Sequence, residues 1–250
     1  MKKNLCALLK SLGSEDTDYK IVAEDGISSP KNTDICIEGL AFDSRDVKEN
    51  YLFFALPGTH TTGNKFIAQA VSCGAGAVVF QDEITQEEQS QIKAALASSS
   101  KNVVFVKVPS ARFAMSPVSS CFYDNPSSKL VVYGVTGTEG KSSTVSFIWQ
   151  FLRLNGIMAG FISTVQYSLG GDAIDNPQHQ TTPESPIVQR ELYEMVCNGC
   201  THAVVESSSH GLSKKLNRLG DVLFDCAVFM NVTLEHLEFH GTYEQYKSDK

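Results

Sequence analysis

Short apolar runs rich in β-branched residues alternate with longer amphipathic runs along most of the chain. Short runs bounded by turn formers read as buried strands. Longer runs with apolar positions three and four apart read as helices. In the first half GLAFDSR, YLFFAL, GAVVFQ and NVVFVKV read as strands. NKFIAQAVSCGAG and ITQEEQSQIKAALASSS between them read as helices, the second with Ile92, Ala95 and Leu96 at helical spacing. SARFAMSPVSSCFY is helical too, but Pro117 is expected to break or kink it, because proline lacks an N–H and crowds the preceding turn. In the second half KLVVYGV, GFISTV, HAVVES and DCAVFMNV read as strands. One helix follows KLVVYGV and ends near Gly156; another, near PIVQRELYEMVCNG, separates GFISTV from HAVVES. This alternation predicts α/β layers with largely parallel sheets.

FYDNPSS, Phe122 to Ser128, is a cluster of loop formers and sets a domain boundary, giving 1–128 and 129–250. SLGGDAIDNPQHQTTPES is long, polar and rich in breakers, and loops of that length in a compact domain are often functional. The closing HGTYEQYKSDK reads as the first turns of a helix without a stop signal. The second half also has few strands for a nucleotide-binding sheet, so the chain is expected to be the N-terminal part of a longer protein.

The composition is that of an ordinary globular protein, with 250 residues, 42% hydrophobic and 20% charged. A net charge of -7 argues against a phosphate-neutralising nucleic-acid surface. An anionic ligand therefore needs a local positive site. The apolar part of MKKNLCALLKSLGSED is too short for a signal peptide and is interrupted by Lys10. No run approaches the ~20 apolar residues of a membrane span. The seven cysteines are odd in number and scattered, which suits reduced thiols in a cytoplasm. Cys197 and Cys200 have C-x-x-C spacing, but no second pair completes a zinc set, so they read as structural thiols.

VTGTEGKSST, Val135 to Thr144, lies between a strand and a helix. It nearly matches the general P-loop pattern, with Val135 where that pattern has its first glycine. Gly134, Gly137 and Gly140 still allow tight turns that bring N–H groups onto phosphate oxygens. The helix that follows turns its positive end to the same anion. Lys141 supplies a point charge and Ser142 a hydroxyl for Mg²⁺. The plain alternative is a glycine-rich turn with a surface lysine.

VTGTEGKSST resembles the P-loop of the Mur ligase family, which has the spaced form TGTxGK[ST][ST]. AFDSRDVKENYLFFALPGTHTTGNKFIAQAVSCGAGAVV resembles the family's N-terminal domain, which grips the UDP end of its substrate. TTPES, ESSSHGL and MNVTLEHLEFHGTYEQYKSDK resemble, in order, central-domain motifs of the members that add the third, usually diamino, residue of the peptidoglycan stem. The likeness runs from about Gly39 to Lys250, and the ordered set is far more specific than any one motif.

The resemblance implies a small N-terminal uridine-binding α/β domain followed by part of a P-loop-type ATPase domain. It implies ATP-driven amide synthesis on UDP-N-acetylmuramoyl-L-alanyl-D-glutamate, with ATP and Mg²⁺ as cofactors and a diamino acid as the second substrate. The substrate carboxylate attacks the γ-phosphate, and an amine then attacks the acyl phosphate. By resemblance, Gly137, Thr138, Glu139, Gly140, Lys141, Ser142 and Ser143 hold ATP. Lys141, Glu206, His236 and Lys250 are the implied catalytic residues. Ser142 and Glu206 would hold one Mg²⁺, with His236 and a carbamoylated Lys250, here the last residue, serving a second metal. Ser44, Thr59, His60 and Thr61 match uridine contacts; Thr181, Thr182, Ser208 and Arg218 match contacts to the muramoyl-peptide part. The resemblance further implies a monomer in the cytoplasm, with no nucleic-acid partner and no membrane insertion.

Each of these residues also has a plainer reading. Glu206 ends an apolar strand, where a carboxylate usually faces solvent, although strand ends line the ligand crevice of α/β sheets. His210 and His236 could be polar loop residues, and Asp43, Ser44 and Arg45 a simple turn. Glu139 stands where the family usually has Asn, placing like charge beside a triphosphate. Ser142 and Ser143 replace threonines, and Glu235 replaces the usual Asp. Three other functions are open: the related ligase that adds the terminal dipeptide, a non-catalytic UDP-sugar-peptide binding module, and an unrelated P-loop kinase. ESSSHGL and HLEFHG disfavour the first, and DSR…LFFALPG disfavours the kinase. The family's Asn-Pro-Arg motif, which selects the amino acid, does not occur here, so lysine, ornithine and diaminopimelate are not distinguished. The chain alone is expected not to complete ligation.

Overall fold

The computed structural model describes residues 1–13, 19–22, 34–58, 62–99, 102–177, 180–233 and 235–250. It forms two compact units, Met1–Phe122 and Tyr123–Lys250, divided at the head of the FYDNPSS loop.

The first unit runs β1 (Lys3–Asn4), α1 (Leu5–Leu9), β2 (Lys20–Ile21), β3 (Cys36–Ile37), β4 (Gly39–Ala41) and β5 (Tyr51–Phe54). It continues α2 (Ile67–Ser72), β6 (Ala77–Phe80), α3 (Gln86–Ser99), β7 (Val104–Lys107) and α4 (Ala111–Phe122). Among the described residues the main sheet has the order β2-β7-β6-β5-β4. It is parallel from β4 to β7 and antiparallel at β2. Leu52 and Phe54 are as buried as Phe53, so both faces of β5 are covered. That explains the unbroken apolar run YLFFAL, since parallel strands are buried on both sides. Thr85 and Glu88 start α3 with reciprocal bonds: Thr85 N–H donates to Glu88 Oε2 at 2.9 Å, and Glu88 N–H to Thr85 Oγ1 at 3.3 Å.

Pro117 corrects one expectation, because α4 runs through it without a break. Ala114, Met115, Val118 and Phe122 are buried along that helix, and their burial outweighs the lost hydrogen bond.

The second unit runs β8 (Val131–Thr136), α5 (Lys141–Leu154), β9 (Ala159–Ile162), β10 (Gln166–Ser168), β11 (Ile174–Asp175) and α6 (Ser185–Cys197). It ends β12 (His202–Glu206), α7 (Ser209–Leu212), β13 (Cys226–Phe229), α8 (Leu237–His240) and α9 (Tyr243–Ser248). The described sheet has the order β11-β10-β9-β12-β8-β13, with β9, β12, β8 and β13 parallel. The polar segment from Ser168 is not all loop. Ile174 pairs with Tyr167 and Asp175 with Gln166, so β10 and β11 form an antiparallel hairpin at the sheet edge. Its residues are mostly exposed, which is why apolar patterning gave no strand signal there.

The chain leaves β8, forms α5 and returns as β9 two places away, with β12 inserted between them. Glu206 of β12 lies in register with Val135 of β8. The carboxyl ends of these two strands therefore meet where such sheets bind ligands.

Candidate nucleotide and substrate site

The loop after β8 is shaped by glycine. Gly137 has φ +153° and Gly140, the N-cap of α5, has φ +80°. A Cβ on Gly137 would also lie 2.7 Å from Met230 Cβ. Asn231 holds the loop from β13's end. Its Oδ1 accepts the N–H groups of Thr138 and Glu139 at 3.1 and 3.0 Å, and its Nδ2 donates to Glu139 O at 3.2 Å. The Glu139 side chain is exposed. Thr138 Oγ1 accepts Thr233 N–H at 2.9 Å and shares a hydrogen bond of 2.9 Å with the Tyr246 hydroxyl. Lys141 Nζ folds over the loop, 3.0 Å from Gly137 O and 2.7 Å from Thr138 O. An ammonium above a turn, at the positive end of a 14-residue helix, fits an anionic phosphate. Ser143, next along, is exposed.

Ser142 and Glu206 meet directly. Ser142 Oγ donates to Glu206 Oε1 and Oε2 at 2.9 and 3.0 Å. Glu206 is 1% exposed, so it is not the solvent-facing carboxylate of the plain reading. Ser163 Oγ (2.6 Å), Thr164 N–H (2.9 Å) and Thr164 Oγ1 (3.2 Å) all donate to its Oε2. These bonds satisfy the buried charge and fix the side chain. A hydroxyl and a carboxylate oxygen are the donor types Mg²⁺ takes, and adjacent ligands of that ion lie about 3 Å apart. The pair therefore fits one Mg²⁺. Among the described residues no group of three or more His, Cys, Asp or Glu is arranged for a metal.

Thr182 ties Glu206 to the next motif. Its hydroxyl donates to Glu206 O at 2.9 Å and accepts Ser208 N–H at 3.0 Å and Ser208 Oγ at 2.9 Å. Ser208 Oγ in turn caps α7 by accepting Gly211 N–H at 3.1 Å. Arg218 Nη1 donates to Thr182 O and Nη2 to Glu184 Oε1, each at 2.9 Å. Its buried Nε has no hydrogen-bond partner among the described residues.

A cavity of about 200 Å³ brings several of these residues together. Gly137 and Lys141 line it from the loop after β8, Thr181, Thr182, Ser208 and Arg218 from the threonine and serine turns. Glu235, His236, Tyr246 and Lys250 line it from the end of the chain. Lys250 Nζ donates to Gly137 O at 2.5 Å and sits 4.8 Å from the Tyr246 ring centroid. Burial pushes its ammonium down to about 8, and the neighbouring Lys141 charge pushes the same way. His236 takes a left-handed backbone (φ 57°) and stands 3.7 Å from Glu235 and 3.5 Å from Glu238. His210 packs on the Phe239 ring at 4.0 Å between centroids, with His236 and His240 edge-on. Burial, and then the other two histidines, hold its pKa below the usual imidazole value.

In the first unit, Ser44 is buried and its Oγ donates to Gln69 Oε1 at 2.8 Å. Asp43 and Arg45 form a turn: Arg45 N–H and Nε donate to Asp43 Oδ1, both at 2.9 Å. The Arg45 guanidinium holds the Asp43 carboxyl below its usual value. Thr59, His60 and Thr61 lie outside the described residues.

Sequence reading gave no role to Asn231, Tyr246, Ser163, Thr164 or His240. Asn231 and Tyr246 fall inside the quoted MNVTLEHLEFHGTYEQYKSDK stretch, but their partners lie 93 and 108 residues away in sequence. No described helix is long and apolar enough to cross a membrane. All seven cysteines are free, with Cys200 buried and Cys197 exposed.

The Mur ligase middle domain family matches residues 135–250, and the Mur ligase family, catalytic domain, matches residues 36–119. The UDP-N-acetylmuramyl-tripeptide synthetase of Treponema denticola is 54% identical over 208 residues, 83% of this chain and 37% of that protein. The UDP-N-acetylmuramoyl-L-alanyl-D-glutamate–2,6-diaminopimelate ligase of Clostridium tetani is 36% identical over 219 residues, 88% of this chain and 42% of its own length. A solved structure of such a diaminopimelate ligase superposes with a TM-score of 0.65 at 24% identity, covering 85% of this chain and 40% of the other. The chain thus spans about two fifths of the length of the relatives it matches. With both domain families found in order along it, the chain belongs to the Mur ligase family.

Proposed function

We propose that these residues are the uridine-binding and nucleotide-binding portions of an ATP-dependent amide ligase. It adds the third, diamino, residue to UDP-N-acetylmuramoyl-L-alanyl-D-glutamate in peptidoglycan synthesis. One observation carries this reading: a single cavity holds the P-loop lysine, Lys141, beside Thr181, Ser208 and Arg218. A cation of the kind that binds phosphate, beside groups suited to a carboxylate-bearing ligand, supports the reading. The relatives named as tripeptide synthetases and diaminopimelate ligases support the substrate class. A structural neighbour, a Thermotoga maritima ligase of 21% identity and TM-score 0.52, was solved with ADP, which supports the nucleotide.

In this reading the substrate carboxylate attacks the γ-phosphate, ADP leaves, and the amine of the incoming residue displaces phosphate from the acyl phosphate. Such transfer needs positioning and charge neutralisation more than a protein nucleophile. Lys141 neutralises the transferring charge. Gly137 and Gly140 present backbone N–H groups, Thr138 and Glu139, whose own N–H groups are held by Asn231 Oδ1, shape the loop around the phosphates, and Ser142 and Ser143 offer their hydroxyls. Ser142 and Glu206 would hold Mg²⁺, which screens the phosphate oxygens when bound. Thr182 fixes Ser208, and Thr181, Ser208 and Arg218 orient the muramoyl peptide. Ser44, with Thr59, His60 and Thr61, serves the uridine end. Lys250 and His236 would serve a second metal; lowering the amine to about 8 gives it a larger neutral fraction at neutral pH than an ordinary lysine, and the neutral form is the one carbamoylation needs. Residues 1–250 bind the UDP-muramoyl dipeptide and ATP without completing the amide, as a monomer, and seven free thiols fit a cytoplasmic protein.

The test is calorimetric titration with UDP-N-acetylmuramoyl-L-alanyl-D-glutamate. Binding that survives Lys141→Ala and weakens in Ser44→Ala supports the reading. No binding by a folded sample, or equal loss in both variants, contradicts it.

A further inference from the structure

His240 joins two parts of the second unit that the proposed chemistry does not use. Its side chain is fully buried. Nε2 lies 3.0 Å from Ser209 Oγ, and Nδ1 lies 2.7 Å from Asp249 Oδ2. Ser209 opens α7, directly after Ser208. Asp249 closes α9, directly before Lys250.

Tyr243 at the start of α9 donates to Val232 O at 3.4 Å, and further attachments reach the P-loop. Tyr246, midway along it, bonds Thr138, and Lys250 bonds Gly137 O. The short helix α9 is therefore fastened on one side to the nucleotide loop and on the other, through Asp249, His240 and Ser209, to the turn carrying Ser208. Six residues of helix are too few to hold themselves in place alone, so these side chains fix its position.

We propose that His240 is a positioning residue that couples the two ligands: through α9 it transmits P-loop occupancy to the Ser208 turn. A nucleotide that pulls Lys250 or Thr138 moves α9, and the Asp249–His240–Ser209 chain passes that movement to the turn. Coupling of this kind is reciprocal, so each ligand tightens the other by the same factor. The inference rests on the functional reading above.

The two ring nitrogens allow separate dissection. An Asn side chain places its amide nitrogen near Nδ1 and keeps the Asp249 link; a Gln places it near Nε2 and keeps the Ser209 link. The experiment measures binding of UDP-N-acetylmuramoyl-L-alanyl-D-glutamate to this chain, with and without a non-hydrolysable Mg·ATP analogue. In the unaltered chain the analogue is expected to tighten binding at least about fivefold. In His240→Ala the factor falls to near one, while each ligand alone binds within about twofold of the original. His240→Asn and His240→Gln each keep half the chain and also lose coupling, although both retain the fold by circular dichroism. Coupling that persists in folded His240→Ala, or none in the unaltered chain when both ligands bind, overturns the proposal alone. Failure of either ligand to bind the folded unaltered chain overturns the functional reading, and the coupling with it.

Discussion

Ser142, the second residue of α5, donates its hydroxyl to both carboxylate oxygens of Glu206, the last residue of β12. Parallel pairing of β12 with β8 brings them together across 64 residues of sequence. The same carboxylate accepts from Ser163 and Thr164, so its two roles separate on substitution. Glu206→Gln keeps an oxygen for those donors and should cost at most about 1 kcal/mol of stability, while losing the Mg²⁺ dependence of nucleotide binding. Glu206→Ala strands buried donors and should cost about 3 kcal/mol. Chemical denaturation and calorimetry with and without Mg²⁺ separate the two; equal Mg²⁺ dependence in Glu206→Gln would remove Glu206 from the metal site.

Tyr246 is completely buried, and burial raises its phenol pKa, so the hydroxyl stays protonated at neutral pH as it bonds Thr138 Oγ1. Tyr246→Phe removes that bond without opening a cavity. A loss of about 1 kcal/mol follows, lowering Tm by roughly 2–4 °C. Nucleotide should bind more weakly while the uridine ligand is unaffected. An unchanged nucleotide affinity would show that α9 does not hold the P-loop.

Glu191 on α6 gives a pH signature independent of the site. Burial raises its carboxyl to about 7; Arg190 opposes the shift, and Glu194 adds to it. Its Oε2 has no hydrogen-bond partner among the described residues. The folded pKa lies above the unfolded value of 4.5, so the folded state holds the extra proton. Its contribution is fully present below about 4.5 and is lost as pH rises through about 7. Glu191→Gln should therefore leave Tm nearly unchanged at pH 5 and raise it at pH 8. The gain is on the order of 3 kcal/mol at most. Equal Tm changes at both pH values would contradict the burial of this carboxyl.

The parts of the site legible in sequence were those whose meaning is local. Gly137, Gly140 and Lys141 fall within five residues of one turn, and their order between strand and helix is what suggests a phosphate loop. Glu206 was legible because a strand's carboxyl end has a fixed place in an α/β sheet. Asn231 was not, because a side-chain amide that completes a loop's backbone bonding leaves no periodic or spacing signal. The Ser209–His240–Asp249 chain was hidden for the same reason: it depends on where α7, α8 and α9 converge. Pro117 misled because the local cost of a proline was weighed without the buried face that α4 gains. The β10–β11 hairpin was missed because its strands are short and its β11 residues exposed, so no apolar alternation marks them.

The most direct test of the nucleotide assignment is Mg·ATP titration of this chain by calorimetry, beside Lys141→Ala. Saturable one-to-one binding in the unaltered chain, lost in a Lys141→Ala variant that still binds the UDP-muramoyl dipeptide, is expected. Undiminished ATP binding in the variant, or none in the folded original, would contradict the P-loop role given to Lys141.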